Sequence, residues 1–141
     1  MNSEKLYEKL KQYFPNHLDL MRHLDVGACW EYIIFENSIE NSIENDVDAK
    51  THYFLIKEST DSLKMTKESP EMEPDLILYF TERAILTLIE GNPNADKYFS
   101  HYKEIMENPT PEVEVDNKVN KARLKLWRMG YRNWQNDFNF N

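Results

Sequence analysis

Between Ala28 and Glu36 the chain runs Cys29-Trp30-Glu31-Tyr32-Ile33-Ile34-Phe35, aromatic and β-branched and largely apolar on both faces. Such side chains are stiff in a helix and pack well on a pleated surface, so the run predicts a strand. The chain must therefore build a sheet, and the segments around this strand decide its class.

Before it, Leu6, Tyr7, Leu10, Tyr13 and Phe14 repeat on one helical face from Ser3 to Phe14, and Pro15 stops the helix. Asn16 as N-cap, with Asp19, Leu18, Met21 and Leu24 following, predicts a short second helix ending before Gly27. After the first strand, Asn37–Asn45 is a tandem four-residue repeat, read as an exposed hairpin tip. Thr51–Glu58, Ser62–Lys67 and Asp75–Phe80 read as three more strands, and four in succession predict an antiparallel meander. Thr81 caps the next helix, which ends at Gly91; Asn92-Pro93-Asn94 opens another, carrying Tyr98, Phe99, Tyr102, Ile105 and Met106 on one face. Glu112–Asp116 alternates like a fifth strand, and a long last helix is expected from Asn120 to about Phe138. The expected order is ααββββααβα.

A chain of 141 residues is the size of one domain, so residues 1–141 are read as a single unit with a real core. Aromatics make up 13% of it, which suits either a bulky core or the wall of an apolar pocket. The net charge of -8 opposes general attraction to nucleic acid, so no nucleic-acid partner is expected. One cysteine, Cys29, lies in an apolar run where an inert buried thiol is the usual outcome. With no spanning apolar stretch and no apolar leader after Met1, the expectation is a cytoplasmic protein.

Most catalytic constellations find no support. His17-Leu18-Asp19 is echoed by His23-Leu24-Asp25, but residues six apart on a helix point to nearly opposite sides, whereas metal pairs use three or four. His52 and His101 lack companions at ligand spacing, and the acids Glu31, Glu36, Glu40 and Glu44 read as solvated faces. There is no Gly-rich phosphate loop, Gly-x-Ser-x-Gly elbow, paired-Cys motif or His-Glu-x-x-His. A non-catalytic protein without metal or cofactor is therefore expected.

Charge is distributed unevenly. From Asn117 to Asn136 no residue is acidic, while Lys118, Lys121, Arg123, Lys125, Arg128 and Arg132 are basic. Lys121, Lys125, Arg128 and Arg132 recur at helical spacing and are read as a solvent-facing stripe able to make a weak contact with anionic membranes. The neighbouring stripe of Leu124, Trp127, Tyr131, Trp134 and Phe138 is expected to face the core or a cavity mouth.

The run Pro74-Asp75-Leu76-Ile77-Leu78-Tyr79-Phe80-Thr81, leading directly into Glu82-Arg83-Ala84-Ile85-Leu86-Thr87-Leu88-Ile89-Glu90-Gly91, resembles the sterol carrier protein type-2 (sterol-binding) domain family, as a divergent, prokaryotic-like member. In that family a strand of pattern Ala/Pro-Asp-apolar-x-apolar enters a helix ending in Leu-x-x-Gly, then another amphipathic helix and a last strand. The resemblance implies a tunnel between sheet and helices that holds a fatty acid, sterol or isoprenoid-like lipid without metal or cofactor.

These readings converge on an α+β domain: a five-stranded, mostly antiparallel sheet with helices packed on one face, enclosing an apolar cavity. Its expected wall is Trp30, Tyr32 and Ile34, then Phe54 and Ile56, then Leu78 and Phe80, with Leu86, Ile89, Phe99, Tyr102, Trp127 and Tyr131 from the helices. The expected function is binding or carriage of a lipid-like molecule. The alternatives are an interaction module using the aromatic and basic C-terminal helix, or an accessory domain of an enzyme.

Overall fold

The computed structural model describes residues 2–39 and 49–140. Helix α1, Ser3–Tyr13, forms where the apolar residues share one face, and it buries Leu6, Leu10 and Tyr13. The Asn2 side chain caps it by accepting the Lys5 N–H at 2.9 Å. Beyond Pro15 the chain tightens into 3-10 turns at Phe14–Asn16 and Leu18–Met21, in place of the expected second α-helix. So few residues cannot repay helix nucleation. Asn16 also reaches back to the Gln12 carbonyl at 2.6 Å instead of capping forward.

Five strands follow: β1 Cys29–Phe35, β2 Ala49–Ser59, β3 Ser62–Thr66, β4 Leu76–Thr81 and β5 Val115–Val119. Their order in the sheet is β3-β2-β1-β4-β5. The pairs β1/β2, β2/β3 and β4/β5 are antiparallel, whereas β1/β4 is parallel. This corrects the expected four-strand meander. After β3 the link 67–75 carries the chain past β2 and β1, so that β4 occupies the free edge of β1 instead of extending from β3. The most apolar strand is thereby paired on both edges by other apolar strands, and the short β3 with its exposed Lys64 becomes an outer edge. The fifth strand begins at Val115, later than expected, because Thr110 and Val113 close a bridge and Glu112 adopts φ 70. Residues 40–45 of the expected hairpin tip, with Glu40 and Glu44, lie outside the described residues.

Pairing register fixes the two faces. Trp30 stands opposite Leu55 and Leu76, and Tyr32 opposite Tyr53 and Leu78. Side chains alternate along a strand, so Trp30, Tyr32 and Ile34, Tyr53 and Leu55, Leu63 and Met65, Leu76, Leu78 and Phe80 share one inner face. Helical rings meet this face: Tyr7 stacks on Tyr53 (5.0 Å), Phe14 tilts against Tyr32 (5.0 Å), and Phe99 abuts Trp30 (6.4 Å).

Helix α2, Glu82–Ile89, starts at Thr81, whose hydroxyl accepts the Ala84 N–H and donates to the Glu112 carbonyl at 2.7 Å. Helix α3, Ala95–Glu107, is capped by Asn94 and buries Tyr98, Phe99, Tyr102 and Ile105. The expected last helix is two: α4, Arg123–Arg128, and α5, Tyr131–Asp137, broken at Gly130. Gly130 has φ +102, and a Cβ there would sit 1.9 Å from the His23 carbonyl oxygen. Only glycine permits both the left-handed backbone and this approach. Among the described residues no helix is long and apolar enough to cross a membrane.

Candidate ligand site between sheet and helices

A recess of about 320 Å³ lies between the inner face of the sheet, α3 and the C-terminal segment. Trp30 and Tyr32 of β1, Leu76 and Leu78 of β4, and Asn117 and Val119 of β5 form the sheet side. Tyr98, Phe99, Tyr102 and Met106 of α3 face them, and Trp134, Gln135 and Phe140 complete the wall. No lining residue carries a formal charge. Val119 and Met106 are 56% and 36% exposed, so the recess opens to solvent beside them. Its volume falls at the lower end of the roughly 300–1,000 Å³ usual for small-molecule pockets.

The C-terminal wall is held by aromatic packing and single hydrogen bonds. Trp134 stacks on Phe140 at 5.1 Å, abuts Phe99 at 5.2 Å, and donates its indole N–H to the Leu20 carbonyl at 2.8 Å. Asn117 donates to the Tyr102 hydroxyl at 3.3 Å. The Tyr32 hydroxyl is fully buried and has no hydrogen-bond partner among the described residues. Burial raises the Tyr32 and Tyr98 pKa values well above 10 and pushes Tyr102 up to about 12, so these phenols stay protonated near neutral pH.

Beside the recess is a buried polar knot that fixes one of its walls. Asp75, fully buried at the entrance to β4, accepts from Lys121 Nζ (2.5 Å), the Tyr131 hydroxyl (2.6 Å) and the Cys29 N–H (3.0 Å). Tyr131 in turn accepts the Trp30 indole N–H at 2.9 Å. One carboxylate thus ties β1, β4, the segment after β5 and α5 together, with Trp30 at the boundary of knot and recess. Burial, helped by the Asp75 charge, pushes the Cys29 thiol up to about 12, which makes it a poor nucleophile.

Of the expected wall, Trp30, Tyr32, Leu78, Phe99 and Tyr102 come together at the recess. Ile34 and Phe80 lie on the same inner face but are wholly enclosed in the core. Phe54 and Ile56 lie on the opposite face, because Leu55 and Tyr53 are the residues beside Trp30 and Tyr32. Leu86 and Ile89 line a different groove of about 1,110 Å³ between α1 and α2, whose other walls include Lys9, Glu36, Glu82, Arg83, Glu90 and Glu112. That groove is larger, but its charged walls suit no apolar ligand. Trp127 is 37% exposed and stands outside the wall, while Tyr131 belongs to the polar knot. Lys121 leaves the expected solvent stripe as well: its side chain is 14% exposed and is paired with Asp75.

Leu76, Tyr98, Met106, Asn117, Val119, Gln135 and Phe140 were not among the expected wall residues, whereas Trp134 stands in the wall as its stripe predicts and Leu124 of the same stripe is exposed instead of facing the core. Two carried a legible signal. Leu76 shares the alternation of Leu78 and Phe80, and Tyr98 precedes Tyr102 by four residues on one helical face.

No protein-family model matches the chain, and no curated protein matches it. Among the described residues no group of three or more His, Cys, Asp and Glu side chains is arranged to hold a metal ion. What the recess offers is apolar and aromatic surface with a few neutral polar atoms, an arrangement for binding.

Proposed function

We propose that the protein binds and carries a lipid-like molecule in the recess between sheet and helices, without itself performing a reaction on it. The observation that carries this reading is the uncharged, largely aromatic wall of a recess of about 320 Å³ that opens to solvent. Each buried methylene contributes about 0.8 kcal/mol, so roughly ten give about 8 kcal/mol, the free energy of a micromolar complex, before the cost of association is subtracted. Hydrophobic transfer thus supplies the main driving force for carriage. The passage of β4 directly into α2, then α3 and a last strand, supports the resemblance of residues 74–91 to the sterol carrier protein type-2 family. Residence in the cytoplasm belongs to the same reading, resting on a single buried cysteine and no disulfide chemistry.

The test is native mass spectrometry of freshly purified protein followed by solvent extraction, together with titration by an uncharged solvatochromic dye. Micromolar dye binding is expected, competed by medium-chain lipids. Leu78→Trp, which adds bulk to the wall, should lose binding while keeping the parent circular dichroism spectrum. Retention of full binding by a folded Leu78→Trp protein would place the ligand elsewhere.

A further inference from the structure

Within the reading of the recess as a lipid site, we infer that its ligand is an uncharged lipid bearing one oxygen function, an alcohol, aldehyde, ketone or ester, and that Tyr32 is the residue that recognises it. The first observation is Tyr32, a residue of the recess wall whose hydroxyl is wholly enclosed and without a partner among the described residues. A buried hydroxyl left so is costly, and a ligand oxygen that displaces the side chains over it would satisfy it. The second is the complete lack of charge in the lining: no Lys, Arg or His stands there to offset a carboxylate or phosphate drawn into the apolar wall. Burial keeps the phenol protonated, and hence a donor, across the neutral range. A hydrocarbon would leave Tyr32 unsatisfied, and an ionised fatty acid would leave its own charge unsatisfied. Only a neutral oxygenated lipid satisfies both. Competition of 1-decanol and decanoate against the uncharged dye tests this, in the parent protein and in Tyr32→Phe. Decanol should bind the parent at least about tenfold more tightly than decanoate, the worth of one hydrogen bond or more, and Tyr32→Phe should lose that decanol advantage. Tyr32→Phe should also melt no lower than the parent, since it deletes only an unpaired hydroxyl. Equal binding of decanol and decanoate, or an unchanged decanol affinity in Tyr32→Phe, overturns the inference, whereas failure of both lipids and the dye to bind overturns the carrier reading itself.

A second, independent observation concerns the surface of α4. Leu124 is 65% exposed and Trp127 37%, and the guanidinium groups of Arg123 and Arg132 lie 5.7 and 4.9 Å from the Trp127 ring. Lys125 and Arg128 are exposed on the same short helix, in the stretch 117–136 that contains no acid. The geometry points to α4 as a docking surface for an anionic lipid bilayer. Exposed apolar side chains ringed by cations match a bilayer interface, where tryptophan settles at the headgroups and each cation changes binding by about fivefold. A chain of net charge -8 needs such a local positive patch to approach an anionic surface at all. Flotation with phosphatidylcholine vesicles, with and without phosphatidylserine, reads the docking directly and does not depend on the recess. Binding is expected only with phosphatidylserine, and it should weaken with salt. Leu124→Ser/Trp127→Ser and Arg123→Gln/Lys125→Gln/Arg128→Gln/Arg132→Gln should each reduce it at least about tenfold. Binding independent of phosphatidylserine, no binding, or full binding by either variant overturns the docking proposal.

Discussion

Lys121→Met is the sharpest test of how the walls of the recess are held. The substitution keeps most of the aliphatic stem but removes the ammonium 2.5 Å from Asp75, a carboxylate with no exposure to water. Tyr131 and the Cys29 N–H remain as donors, yet neither carries charge. Breaking a buried ion pair on one side typically costs about 3–5 kcal/mol, because the surviving charge stays desolvated. Unfolding entropy of about 2.1 cal/mol/K per residue over 141 residues gives about 0.3 kcal/mol/K, so the melting temperature should fall by roughly 10–17 °C. Urea denaturation followed by tryptophan fluorescence, with thermal melting by circular dichroism, measures this. The exposed Lys125→Met is the control and should stay within about 0.5 kcal/mol of the parent. Asp75→Asn/Lys121→Met removes both charges while leaving an amide oxygen that still accepts from Tyr131 and Cys29, and should recover part of the loss, the amide N–H groups facing the new methionine holding back the rest. A Lys121→Met protein as stable as Lys125→Met would refute the assignment of Lys121 to the knot and return it to the surface stripe.

Three further outcomes are expected. Gly130→Ala should destabilise far more than Gly91→Ala in thermal melts: both positions have positive φ, worth about 1–2 kcal/mol to an L side chain, but only at Gly130 does the new Cβ meet backbone, 1.9 Å from the His23 oxygen. Cys29, with its pKa raised from about 9 to about 12, should react with iodoacetamide near neutral pH about a thousandfold more slowly in the folded than in the urea-unfolded protein. Its contribution to stability is complete below about pH 9 and declines above it, as the unfolded thiol ionises first. The exposed Asp137 carboxylate is held below its ordinary value of 3.8 by hydrogen bonds from His23 and Arg22, so its contribution is present above that value and is lost as the pH falls through the lowered one; amide exchange in α5 should accelerate on acidification while α3 is unchanged.

The elements were legible where one periodicity acted alone. Asn94 and Gly91 bracket what the sequence says they bracket, and Tyr98, Phe99, Tyr102 and Ile105 of the expected α3 face are buried, while Met106 of the same face is exposed at the recess mouth. Sheet order was less accessible, because chain succession makes a meander the default and only the second edge of β1 overrides it. Nothing local to Leu76–Thr81 says that it will run parallel to β1. Strand faces failed where both alternations are apolar: in Tyr53-Phe54-Leu55-Ile56 either parity could be buried, and a shift of one residue exchanges Phe54 and Ile56 for Tyr53 and Leu55.

The C-terminal misreadings share one cause, which also explains how the site and the surface are related. Helical spacing from 121 to 138 has meaning only if one helix runs throughout, yet Lys121 precedes α4 and Gly130 divides α4 from α5. Off the helix, Lys121 is free to turn toward the entrance of β4 and neutralise Asp75. Across the break the series Trp127, Tyr131, Trp134 no longer shares a face: α5 sends Tyr131 to the knot and Trp134 to the recess, while α4 leaves Trp127 outside among cations. One backbone position thus separates a wall from an exposed apolar and basic surface within fewer than twenty residues. Both hang on contacts to the same region, since Gly130 rests on the His23 carbonyl, Met129 accepts the Asp25 N–H at 2.9 Å, and Trp134 donates to Leu20. These contacts join α4 and α5 to the turn 20–25, and Trp134 extends that junction into the wall of the recess.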